Sequence, residues 1–354
     1  MSDLFVDFET YSAVDIKKRG GMNYATHPST QIVCMGYAFD KEPVSVFTPA
    51  DELHPDIIEH VLSGQPVYAH NATFDYRIWN FIGHEQLCWP RLSLGQVIDS
   101  MALCQTFGVP ASLHNAGEAL GISMPKSADG LKLIKLCCVP TKSGVQPTPW
   151  GVNGVHFGRL YEYCKRDIEA MREIVYTLPR KVLIPKEQRL WELTYEMNTT
   201  GLPIDYKAIV AIRDYLGTYV LKALECVPEK SGGAFKTLGQ LEKIKAWCGE
   251  NGFPMDTLDA AAVQAGLDDP SCPENVREVL EMRQELGRSS TAKFTKLAAQ
   301  ARKVGDQYWV HDNVQFHGAG PGRWAGRGFQ VHNLPRASVP NPEERIQEFL
   351  EAVI

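Results

Sequence analysis

Close to the start of the chain, the run LFVDFET (Leu4–Thr10) sets two carboxylates, Asp7 and Glu9, one residue apart in an otherwise apolar segment. Side chains alternate along a strand, so these two share a face, about 6.6 Å apart along it, while Val6 and Phe8 point the other way into a core. Neighbouring carboxylates repel unless a cation lies between them, and hard divalent ions such as Mg²⁺ favour carboxylate oxygen. On its own, D-x-E also suits a solvated edge strand with two surface acids.

Two further elements carry acids. In HNATFDYRIW, Asp75 follows a short strand at the start of a helix, where cleft residues of α/β sheets commonly sit. Asn71 and Phe74 are its neighbours; a helix cap and a core aromatic are the plain alternative. In YCKRD, Tyr163 and Asp167 lie four apart on a helix, one above the other with a rise of about 6 Å. Both border an apolar stripe, so a hydroxyl and a carboxylate can face a cleft together.

These groups need elements to hold them. DLFVDFETY, QIVCMGYAF and EPVSVFT read as strands, and PVYAH as a short strand entering a helix over about 73–81. A helix follows VIDS, with Ser100 as its N-cap. VPTKSGVQPTPWGVNGV, residues 139–155, is a Pro- and Gly-rich loop. In the helix after it, Leu160, Cys164, Ile168, Met171, Val175 and Leu178 recur at three- and four-residue steps, giving one buried face. PKEQRLWELTYEMNTTG is a helix with Pro185 in its first turn and Gly201 as its stop. Further helices follow, the longest expected around ENVREVLEMRQELGRSSTAKFTKLAAQARKVG and ended by Gly305. The pattern predicts one sheet covered by helices, then a helical region, with a boundary near 179–184. Asp99 is expected to be structural, and His70 a packed, hydrogen-bonded histidine rather than a ligand.

In this order, D-x-E, N-x-x-F-D and Y-x-x-x-D resemble the three motifs of the DEDD proofreading exonucleases, tyrosine subtype, over about residues 1–180. The resemblance implies a ribonuclease-H-like α/β fold with a mixed central sheet. It implies that Asp7, Glu9, Asp75 and Asp167 hold two divalent ions, Mg²⁺ or Mn²⁺, with Asp7 shared. Tyr163 would orient the attacking water, and Thr10, Asn71 and Phe74 would handle the 3′-terminal nucleotide of single-stranded DNA. Phosphodiester hydrolysis needs an activated nucleophile and a stabilised alkoxide, and two metals about 3.5–4 Å apart can serve both. A tyrosine, with a pKa of about 10, is better suited to orient water than to deprotonate it. A ribonuclease D-like RNA-trimming enzyme would use the same tyrosine-type site.

Further on, FHGAGPGRWAGRGFQVHNLPR interleaves Arg323, Arg327 and Arg336 with Trp324, Phe329 and His332 among closely spaced glycines. Basic and aromatic residues mixed in this way favour nucleic acid over a bare surface loop. GAGPGRWAGRGFQVHNLPR is similar to the segment entering the palm of family A DNA polymerases, particularly phage-type ones, and WELTYEMNTTGLPID to the junction after their exonuclease domain. By that resemblance the chain divides into 1–182 (exonuclease), 183–315 (a mainly α-helical linker and thumb-like region) and 316–354 (the start of a palm). Arg323, Arg327 and Asn333 would contact primer–template, with Pro321 standing where Thr is more usual. The palm aspartates and fingers helix of that family are not in the sequence, so this chain alone is expected not to polymerise DNA; they would lie on a continuation or on a second chain. With an idle nuclease site, such a chain would be a DNA-gripping subunit.

Composition agrees with an ordinary soluble globular protein: 44% hydrophobic, 22% charged, nine scattered cysteines without a C-x-x-C. Thiols so arranged suit a reducing cytosol, bacterial or phage-infected. No apolar run of about 18 residues marks a membrane span, and the N-terminus has no signal-peptide pattern. The net charge of −6 is uneven: residues 286–337 carry +6 and the remainder −12, a basic block beside an acidic body.

Overall fold

The structure is a computed structural model, and it describes residues 2–122, 130–148, 154–286, 289–331 and 340–353. Five strands form one sheet: β1 (Leu4–Tyr11), β2 (Gln31–Phe39), β3 (Ser45–Phe47), β4 (Val67–Ala69) and β5 (Val97–Asp99), in the order β3-β2-β1-β4-β5. β1 runs antiparallel to β2 and parallel to β4, so the sheet is mixed, with β1 at its centre. This is the expected α/β class with a mixed central sheet.

A central strand is covered on both faces, and the sequence of β1 meets that demand. Val6 and Phe8 face one side, where Phe8 stacks at 6.2 Å on Trp89 and meets Trp79 edge-on at 6.3 Å. Phe5 faces the other side, stacked on Tyr68 at 4.8 Å and edge-on to Tyr176 at 5.8 Å. Each such aromatic, taken fully out of water, stabilises by roughly 1.5–3 kcal/mol. Asp7 and Glu9 share the Phe5 face, beneath the long helix Gly154–Thr177. The stripe predicted on that helix is buried along its whole length.

Several local expectations change. Val97–Asp99 of VIDS pairs with β4 as a fifth strand, which puts Asp99 at a strand-to-helix junction. The cap of the next helix is Asp99 and not Ser100: its carboxylate accepts from Met101 N at 2.9 Å, while Ser100 Oγ donates to Ala69 O at 3.1 Å. The helix from Thr73 is α-helical to Ile78 and then widens into π turns over Trp79–His84. There Trp89 is seated against the bare Cα of Gly83. Of the loop 139–155, residues 139–148 contain no helix or strand, 149–153 lie outside the described residues, and helix begins at Gly154.

Packing divides the chain into two compact units. One comprises residues 1–203 with 302–305 and 309–333. In it, Pro185–Thr200 is helical as expected, stopped at Gly201 with φ 75°. Asn198 clasps a returning segment, receiving Val314 N on Oδ1 at 2.9 Å and donating Nδ2 to Val314 O at 2.7 Å. The other unit comprises 204–301, 306–308 and 334–354. It is helical, with a core that includes Phe235, Ile244, Trp247, Val276 and Leu280. Helices Tyr206–Lys230, Glu274–Leu286 and Ser289–Gln300 belong to it, and residues 287–288 of the expected 275–304 helix lie outside the described residues. After Gln300 the chain forms the strand Arg302–Val304, and Gly305, at φ 60°, makes a turn instead of ending a helix. The basic segment is split: Lys293 and Lys296 belong to the helical unit, and Arg302, Lys303, Arg323 and Arg327 to the first. Among the described residues no helix is long and apolar enough to cross a membrane.

Candidate metal centre

Asp7 stands opposite Gly36, and Glu9 opposite Cys34, on the antiparallel neighbour β2. The register shifts between Glu9 and Thr10, so the strand bulges just beyond the second carboxylate. Gly36 lets the 154–177 helix approach this face closely. A Cβ there would stand 3.0 Å from both Cys164 Sγ and Ile168 Cγ1, and 3.3 Å from the Cys164 carbonyl. One turn of that helix then delivers Asp167. Asp7, Glu9 and Asp167 each offer a carboxylate oxygen, and the three atoms lie within 4.8 Å of one another. Asp75 comes to the same strand from another direction: it is 4% exposed and accepts the Phe8 amide on Oδ1 at 3.2 Å. The Asp7 charge acts on it, although it does not supply one of the three gathered oxygens.

Electrostatics follow from that crowding. Burial lifts Asp7 from 3.8 to about 6, with the Cys164 thiol pulling slightly the other way. Burial, then the Asp7 charge, raises Asp167 to about 7, and the same two causes hold Glu9 and Asp75 well above the ordinary range. Among the described residues no Lys, Arg or His forms an ion pair with any of the four. Four acids in hard-oxygen chemistry, with no ion-pair partner among the described residues and only the Arg166 charge acting on Asp167 from a distance, are a donor set that fits a divalent cation. Tyr163 hydrogen-bonds Asp167, and burial, then that carboxylate, drives its pKa far above the ordinary value, so it remains a neutral hydroxyl at any working pH.

Two residues with no motif behind them shape the site. Cys164, read from sequence only as part of the stripe, donates its thiol towards Asp7 O at 3.4 Å and Asp7 Oδ2 at 3.5 Å, and accepts Gly36 N at 3.2 Å. Tyr24 joins Thr10 to Phe74: its hydroxyl is 2.7 Å from Thr10 Oγ1, and its ring lies 5.9 Å from that of Phe74. Burial moves the Tyr24 phenol up to about 12, so it too stays protonated. Neither contact is signalled in the sequence, since both link segments that meet only in the fold.

The remaining candidates gather elsewhere. Asn71 is exposed and left-handed at φ 63°, with its amide donating to Asp99 Oδ1 at 3.0 Å. Asp99 also receives Trp191 Nε1 at 3.0 Å, which makes it a structural anchor. His70 is held on both ring nitrogens, by Ser100 Oγ and Ala111 O, each at 2.9 Å. A cavity of about 640 Å³ is lined by Asn71, Phe74, Arg77, Gln105, Tyr195 and Arg327 among others, and none of the four acids lines it. Arg327 therefore reaches the neighbourhood of Asn71 and Phe74. Arg323 is exposed and does not line it, and Asn333 lies outside the described residues, as do His332 and Arg336.

A mixed sheet in this order, with acids on its central strand and on the helix that covers it, is the mixed α/β arrangement expected from the sequence. No family model matches the chain. It is 28% identical over 365 residues to a DNA polymerase of Bacillus phage SP02, a match covering 96% of this chain and 52% of that protein. The chain thus spans about half the length of the curated relative it matches. In fold it is similar to a solved structure of the POL domain of Pol1 from M. smegmatis in complex with DNA primer-template and dNTP. That likeness has a TM-score of 0.54 at 12% identity, over 95% of this chain and 53% of the other. The expected resemblance to a phage-type DNA polymerase is borne out: the chain is similar to a phage DNA polymerase along nearly its whole length.

Proposed function

We propose that the chain is a metal-dependent 3′→5′ exonuclease that removes nucleotides from single-stranded DNA ends, the proofreading part of a family A DNA polymerase. The observation that carries this is the convergence of Asp7, Glu9 and Asp167 within 4.8 Å, with buried Asp75 beside Asp7 and no cationic partner among the described residues. These four would hold two divalent ions, Mg²⁺ or Mn²⁺, whose chemistry when bound is to activate water and stabilise the departing 3′ oxygen.

The chain's own residues do the rest. Tyr163 keeps its proton, directed at Asp167, and its hydroxyl oxygen is left to accept from the water it aligns, without acting as a base. Phe74, braced by Tyr24, offers a flat face to the terminal base, and Thr10 and Asn71 flank it. Arg327, on the cavity behind Asn71 and Phe74, supplies a cation for the phosphates upstream. The similarity to a DNA polymerase runs far beyond the nuclease-like part and supports DNA over RNA as substrate. Primer–template binding by Arg323 and the thumb-like helices, completion of polymerisation by palm and fingers on a continuation or second chain, and action in the cytoplasm of a bacterial or phage-infected cell belong to the same proposal.

The test is release of nucleotides from labelled single-stranded DNA with Mg²⁺ or Mn²⁺, comparing DNA and RNA ends. Wild type should digest DNA, and Asp7→Ala should lose that activity. Equal release by both proteins overturns the assignment.

A further inference from the structure

We infer that Gly130 is a positioning residue for Tyr163; the inference rests on the nuclease reading. Gly130 opens the helix Gly130–Cys137, which packs against the 154–177 helix through Leu133, Cys137, Phe157 and Leu160. It is buried, and it does not occupy the left-handed region, so no backbone demand calls for glycine here. What requires glycine is the Tyr163 ring. A Cβ at position 130 would stand 2.6 Å from Cε2, 3.1 Å from Cζ and 3.2 Å from Cδ2. Carbon atoms in contact settle at about 3.5–4.0 Å, so the ring would have to move by about 1 Å.

That ring cannot move without consequence. Its hydroxyl lies close enough to the Asp167 carboxylate to be held protonated by it, and the hydroxyl is the end that must point at the water. Gly130 therefore leaves a slot one methyl deep, and the ring in that slot delivers its hydroxyl to Asp167. Asp7 and Glu9 come from β1 and Asp75 from the helix at Thr73, so a residue filling the slot would misplace the hydroxyl and reach the metal ligands only through Asp167, one turn on from Tyr163.

The experiment is a double-mutant cycle on Gly130→Ala and Tyr163→Ala, with nucleotide release, Mn²⁺ binding and thermal unfolding measured on all four proteins. In the Tyr163 background, Gly130→Ala should lower kcat by about 10- to 100-fold, as a displacement near 1 Å does, while KM and Mn²⁺ affinity stay within about twofold. In the Tyr163→Ala background the same change should leave kcat within about twofold, because the interaction is already gone. Unfolding gives a second sign: Gly130→Ala lowers the Tm when the ring is present, and leaves it unchanged or raises it when the ring is absent, as alanine's propensity dictates. An equal effect in both backgrounds overturns the inference, as does wild-type kcat with a raised Tm for Gly130→Ala alone. If wild type releases no more nucleotide than Asp7→Ala, the nuclease reading fails, and the unfolding cycle still decides whether the ring occupies the slot.

Discussion

The thiol of Cys164 reaches Asp7 twice, at 3.4 Å from its backbone carbonyl and 3.5 Å from Oδ2. A weak donor on a buried carboxylate favours the ionised form, and here it opposes the burial that lifts Asp7 to about 6. The cysteine sits in the apolar stripe, yet part of its work is electrostatic.

Cys164→Ala removes that donor while keeping a small apolar side chain under the helix. The Asp7 pKa should rise further, and metal binding, which requires the carboxylate, should need a higher pH. The midpoint of Mn²⁺ affinity against pH should move up by several tenths of a unit, with affinity converging on wild type at about pH 8. A Mn²⁺ titration across pH 5–8 checks this; a midpoint that stays put or moves down would show that the thiol does not act on Asp7.

Stability without metal should fall as pH rises. Asp7 and Asp167 have folded pKa values of about 6 and about 7 against 3.8 for the free group. A raised folded pKa means that the contribution is fully present below about pH 4. It is lost as pH climbs through 7, where the folded state must release protons it holds tightly. Asp167→Asn should flatten that slope and, in EDTA at pH 7.5, be more stable than wild type by on the order of 2 kcal/mol. Millimolar Mg²⁺ should reverse the order, because wild type alone keeps the full ligand set. Thermal melts at pH 4.5 and 7.5, with EDTA or Mg²⁺, read both effects. A wild type that is most stable at pH 7.5 in EDTA contradicts the raised values.

What the sequence makes legible depends on how local the physics is. β2 matches its apolar run residue for residue, and the shared face of Asp7 and Glu9 follows from the period of a strand. The 154–177 helix shows itself through its stripe, and the position of Asp167 beside that stripe places it over the sheet. The contacts of Cys164 with Asp7, Tyr24 with Thr10, and Gly130 with Tyr163 leave no trace at the level of spacing. Each joins segments brought together only when the core forms. The strand Arg302–Val304 was hidden for a related reason: its alternation is too short to compete with the helical pattern running into it.

The same holds for Arg77, whose partner is distant in sequence and whose environment makes the strongest stability prediction. Arg77 is 3% exposed, pairs with Asp312 at 2.8 Å, and stacks its guanidinium 5.6 Å from the centre of the Tyr195 ring. Asp312 in turn accepts the Met22 amide at 2.9 Å, so one carboxylate anchors a buried cation and a helix turn at once. Asp312→Ala would strand both partners, and an uncompensated buried charge costs about 3–5 kcal/mol. Arg77→Met removes the charge together with its need for a partner and fills similar space, so it should cost less than Asp312→Ala despite deleting the same ion pair. Combining the two should be much less damaging than their sum, as for any pair in direct contact. Denaturant unfolding of the three variants checks the order; equal costs for the two single changes would mean that Arg77 finds other compensation when Asp312 is gone.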